Sequence, residues 1–157
     1  MTDSAGNLYQ LAAPLTQGSG LSQAIYYAKN IKAAAAGSNV VTVQFSGAAA
    51  YPDVRVAEYS GFNPVSPLDT SASASGSGAT ASSGNLTTSA AHEVIFGAGI
   101  TSGLFLSGTN GFVTRTIPSP DGDIAGDKLA PTAGTYAATA SVGSAPWVMQ
   151  AVAFHVG

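Results

Sequence analysis

Three of the eight acidic residues in this 157-residue chain stand within seven positions. They are Asp121, Asp123 and Asp127, in the stretch SPDGDIAGDKLAP (Ser119–Pro131). Calcium takes roughly six to eight oxygen ligands from carboxylates, carbonyls and water, and a flexible D-G-D loop offers several. The spacing is not that of an EF-hand: Ala125 occupies the fifth place, and no Glu stands at the twelfth. The competing reading is a Pro120-Asp121-Gly122 turn that feeds a strand. Asp121, Asp123 and Asp127 are therefore metal candidates, with Ca2+ as the first choice of ion.

Zn2+ is the second choice, through different residues. His92, Glu93 and His155 supply three ligands of the right type if strands bring them together. HEVIF (His92–Phe96) lacks the second His of a zinc-protease helix and leads into a strand. Otherwise His92 is an exposed residue at a strand entrance and His155 ends the last strand. Glu58 is a further acid candidate. It alternates in phase with Val54 and Val56, so it is expected to point inward and to need Arg55 or Arg115 as a partner. His92, Glu93, His155 and Glu58 are the catalytic candidates, with the Asp cluster a further candidate to hold a catalytic metal. No G-x-S-x-G elbow occurs, and GAGITSG (Gly97–Gly103) misses the dinucleotide fingerprint because Ser102 holds its last Gly position.

Aromatic side chains can stack on the apolar faces of sugars. Tyr26 and Tyr27 are consecutive, so in a strand one of them faces outward. Tyr26, Tyr59 and Phe62 are the candidates for a ligand-binding platform, whereas Trp147 sits in an apolar strand and reads as core.

The elements that must position these groups are strands. Helical periodicity is nearly absent, and Ala33–Ala36 is too short to nucleate a helix. Short β runs bounded by Gly, Ser, Pro and Asn predict strands near 8–13, 23–30, 39–46, 54–59, 70–75, 85–88, 93–98, 111–117, 122–128, 134–141 and 147–156. In the last of these both faces are apolar, as in a central strand covered on both sides. TSASASGSGATASSG (Thr70–Gly84) reads as strand–loop–strand, with a flexible linker as the alternative. Many short strands without crossover helices predict an all-β fold, an antiparallel β-sandwich of jelly-roll type, as a single domain over 1–157.

Composition narrows the partners. Charged residues make up 8% of the chain and the net charge is −3 with no basic run, so neither nucleic acid nor an anionic membrane is an expected partner. There are no cysteines, which excludes disulfides and thiol chemistry. The sequence carries no signal peptide pattern at Met1-Thr2-Asp3.

Five stretches together resemble a module repeated in large secreted or cell-surface bacterial proteins, often beside fibronectin-III-like or Ig-like domains. They are TDSAGNLYQLA, SQAIYYAKNI, YPDVRVAEYSGFNPVSPLD, FVTRTIPSPDGDIAGDKLAPTAGTYAATAS and PWVMQAVAFH. The resemblance implies a concanavalin-like or jelly-roll sandwich, secreted or at the cell surface, that serves adhesion, polysaccharide contact or structural spacing. The turn at Asp3 opens the chain where such modules have further strands, so an N-terminally shortened module is expected. Missing opening strands leave sheet edges unpaired, and a homo-oligomer formed through them is expected. The leading functional expectation is a non-catalytic module for adhesion, carbohydrate contact or self-assembly. The alternatives are a small metal-dependent hydrolase of esters or phosphoesters, and a structural spacer.

Overall fold

A computed structural model describes residues 1–157. It contains twelve strands and no helix: β1 (Thr2–Asp3), β2 (Tyr9–Gln17), β3 (Ser22–Ala28), β4 (Val41–Thr42), β5 (Leu68–Ser82), β6 (Leu86–Thr88), β7 (Glu93–Thr101), β8 (Phe105–Thr109), β9 (Val113–Thr116), β10 (Ile124–Ala130), β11 (Gly134–Tyr136) and β12 (Thr139–Phe154). Every pairing is antiparallel, and the architecture is an all-β sandwich.

The main sheet runs β5-β12-β7-β10-β9, and β8 pairs with the first part of β12. As its two apolar faces predict, β12 is central. Trp147, Met149, Ala151 and Ala153 enter a large core with Ile95, Phe105, Phe112 and Leu86. On the opposite face Val152 meets Ala12, Ala13 and Ile25 of the β2–β3 hairpin, with Phe96 and Phe154 alongside. Close packing of the first core depends on small residues in β7. A Cβ at Gly99 would lie 2.6 Å from Phe105 Cζ and 2.8 Å from Met149 Sδ.

A buried polar clasp fixes the hairpin onto the sheet. Gln150 of β12 is wholly buried. Its Nε2 donates to Pro14 O (2.8 Å), Thr16 Oγ1 (2.9 Å) and Ser73 Oγ (3.3 Å). Gln23 of β3 donates to Gln150 Oε1 at 3.2 Å and to Ala98 O at 3.0 Å. One side chain thereby ties β2, β3 and β5 to β12, and satisfied buried polar groups of this kind set a unique register.

Several expectations need correction. Thr70–Gly84 is neither strand–loop–strand nor linker. β5 runs unbroken from Leu68 to Ser82, because its Ser/Ala/Gly side chains fit close against β12 along almost its whole length. The expected strand at 54–59 is irregular chain with no partner strand, and Val54 and Val56 are exposed. Glu58 is consequently exposed rather than inward, since strand alternation has no meaning without a sheet to define its faces. The strand expected at 39–46 shrinks to β4, which pairs with β1. The turn at Asp3 joins β1 to β2: Gly6 N donates to Asp3 O, and Asn7 N donates to Asp3 Oδ1 at 2.9 Å. β8 is a further strand beyond those the pattern predicts, a short run set among glycines.

Candidate functional site

Three neighbouring strands of the main sheet end together, and each brings one polar side chain to that end. Asp69 is the second residue of β5, Glu93 the first of β7, and His155 directly follows β12. The register places Phe154 opposite both Leu68 and Val94, so His155 stands beside Glu93, and Asp69 is the extra residue where the β5–β12 register shifts between Thr70 and Leu68. His155 N donates to Pro67 O at 2.7 Å, which continues the pairing one step past the strand.

The side chains converge. His155 Nδ1 lies 3.1 Å from Glu93 Oε1, and Nε2 lies 3.8 Å from Asp69 Oδ1. One ligand atom from each of the three residues falls within 4.8 Å of the others. Asp69 is oriented by the loop after β6: Ser89 N donates to Oδ2 (2.8 Å) and Ser89 Oγ to Oδ1 (2.9 Å). Ala90 N donates to Glu93 Oε1 at 2.9 Å, while the buried Oε2 has no N–H or hydroxyl donor and can be satisfied only by a proton shared with Asp69 or by a cation. Burial, reinforced by the neighbouring Asp69, raises the pKa of Glu93 above the usual carboxyl range. Burial also pushes Asp69 upward, but the two Ser89 hydrogen bonds, with Glu93 and His155, together outweigh it and hold that carboxylate low. The arrangement can pass or share a proton between two carboxyl groups beside an imidazole, and its donor set suits a small divalent cation.

No family model matches this chain. No curated protein and no solved structure matches it either.

Of the zinc candidates, Glu93 and His155 come together but His92 does not join them. His92 is exposed, with a backbone φ of 61° that turns the chain into β7. Asp69 takes the third place. No motif pointed to it, because only the β5–β12 register brings it there.

Asp121, Asp123 and Asp127 do not gather their oxygens as Asp69, Glu93 and His155 do. The Pro-Asp-Gly turn is present, with Gly122 N bonded to Pro118 O, and the strand starts at Ile124. Asp121 pairs with Arg55 (3.2 Å), which also holds Asp53. Asp123 accepts from Thr101 N at 3.0 Å. Burial and then the nearby Asp53 and Asp121 push its pKa up to about 6 against the Thr101 bond. Asp127 lies farther along β10 and is held by Arg115 Nε (2.6 Å) and Nη2 (2.8 Å), with Tyr59 Oη donating at 2.8 Å. The paired guanidinium holds Asp127 below its ordinary pKa.

The aromatic candidates also separate. Tyr59 and Phe62 stack edge-on at 5.8 Å and continue into Phe96 and Phe154, so they pack the irregular segment onto the sheet. Tyr26 projects from the outer face of the β2–β3 hairpin, opposite Leu11, and both are exposed.

Proposed function

We propose that this chain is a non-catalytic β-sandwich module that works outside the cell by self-assembly, through the free edge of β5. The carrying observation is that edge. β5 is 15 residues long and pairs only with β12, which leaves its other side without a partner strand. From Thr70 to Ser82 it holds no charge and no proline. Lys, Pro and short length are the usual guards of an exposed edge, and a long unguarded one is a template for strand addition. By contrast β9, at the opposite edge, is four residues long and carries Arg115. Two β5 edges meeting antiparallel give a closed, isologous pair.

The surface supports the same reading. The accessible area is 8408 Å², whereas a folded monomer of this mass exposes about 7,200 Å². Along 29–67 nearly every residue is exposed, Phe45, Tyr51, Val56 and Val65 among them. A surface rich in Ser, Thr and Gly with few charges offers little repulsion between copies, and suits a secreted or cell-surface setting like that of the bacterial modules the sequence resembles. A second reading, polysaccharide contact in adhesion, has one observation in its favour: the outward pair Tyr26 and Leu11.

Sedimentation velocity over a micromolar concentration series tests the proposal. A dimer or larger assembly is expected, and the Ser77→Lys/Thr80→Lys double variant should be a folded monomer by circular dichroism. A parent chain that sediments as a monomer throughout would sink it. Retention on a polysaccharide that is lost in Tyr26→Ala would favour the second reading.

A further inference from the structure

The cluster at the ends of β5, β7 and β12 has no part in edge pairing. We propose that Asp69, Glu93 and His155 bind one divalent transition-metal ion, with Zn2+ the best fit, and that the ion clasps the ends of these three strands. Two carboxylates and a neutral imidazole supply three donors and two negative charges, which balance a dication. Donors about 2.1 Å from a tetrahedral ion lie about 3.4 Å apart. His155 Nδ1 and Glu93 Oε1, 3.1 Å apart, already stand at that separation. The third donor, on Asp69, lies within 4.8 Å of the other two and closes the site by a shift of at most about 1.4 Å.

Two further observations point to a ligand rather than to a chance cluster. Glu93 is fully buried, yet its Oε2 has no hydrogen-bond partner. An orphaned buried carboxyl oxygen is costly, and a cation held by both Glu93 oxygens would satisfy Oε2 while Oε1 keeps its place beside His155 Nδ1. The supporting layer is also in place. Ser89 N and Oγ hold Asp69, and Ala90 N holds Glu93, as outer hydrogen bonds orient metal ligands elsewhere. The His155 side chain is 26% exposed, which leaves a route for the ion. A nitrogen donor and so few oxygens favour Zn2+ over Ca2+ or Mg2+.

The test is calorimetric titration of the chelator-treated full chain with Zn2+, with Ca2+ and Mg2+ in parallel, followed by thermal melts. Saturable uptake of one Zn2+ per chain and a rise in Tm are expected, with no comparable response to Ca2+ or Mg2+. Asp69→Asn and His155→Gln should each weaken Zn2+ binding by at least about tenfold, while His92→Gln leaves it unchanged. These three positions are not fully buried, so the variants should fold, and circular dichroism checks that they do. Absence of saturable Zn2+ binding, or equal affinity in Asp69→Asn and His155→Gln, would overturn the site. Neither outcome bears on assembly through β5, which sedimentation reads separately.

Discussion

Gln23 donates its side-chain amide to the Oε1 of Gln150 at 3.2 Å, joining the outer hairpin to the central strand through a wholly buried side chain. The Nε2 of Gln150 is shared among Pro14 O, Thr16 Oγ1 and Ser73 Oγ. Gln150→Leu keeps the volume but orphans several of these groups. A loss of about 1–3 kcal/mol is expected, since each unsatisfied buried group carries its desolvation cost. Denaturant unfolding measures it. A double-mutant cycle with Gln23→Ala should show coupling, because the two side chains share one bond.

Gly76 and Trp147 are in direct contact across the β5–β12 ladder. A Cβ at Gly76 would lie 2.7 Å from Trp147 Cζ2 and 3.1 Å from Cη2. The indole is rigid and nearly buried, so Gly76→Ala must displace it. A loss of about 1–3 kcal/mol is expected from overpacking. Trp147 is the only tryptophan, so a red-shifted fluorescence emission would report its displacement directly. An unchanged spectrum and unchanged stability would contradict the packing.

Asp123 makes stability fall as pH rises. Its pKa is about 6 in the fold against an ordinary 3.8. Between those values the folded chain holds more protons than the unfolded one, so this contribution is full below 3.8 and is lost as pH passes through about 6. Asp123→Asn keeps an acceptor for Thr101 N and removes the charge. It is expected to be more stable than the parent at pH 8 by about 1 kcal/mol, after discounting the shift for partial exposure. Thermal melts from pH 4 to 8 should show the difference growing with pH; a constant offset would refute the assignment.

Asp127 acts with the opposite sign. The Arg115 fork lowers its pKa, so its contribution is present above the ordinary Asp range and is lost as pH falls through the depressed value. Arg115→Gln should lower Tm at neutral pH and flatten the loss of Tm on the acid side. Melts from neutral pH down into the acid limb would show it, and an acid limb as steep as the parent's would argue against the pair.

Local pattern carried much of the fold. Glycine-punctuated runs with no 3.6-residue period announced an all-β chain, and the two apolar faces of 147–154 announced a central strand. Both signals reside in neighbouring side chains, where the alternation of Cβ directions is a property of the strand itself. The absence of cysteine likewise excluded disulfides outright.

Tertiary structure decided what alternation leaves open. Val54–Tyr59 has the composition of a strand but finds no partner, so Glu58 faces solvent. Thr70–Ser82 has the composition of a linker but is held along β12. Three aspartates close in sequence went to different partners, while Asp69, Glu93 and His155, far apart in sequence, met at one sheet end. The physical reason is register. Strand periodicity says which face a residue takes, but only the pairing of β5 and β7 with β12 says which residue of another strand it faces.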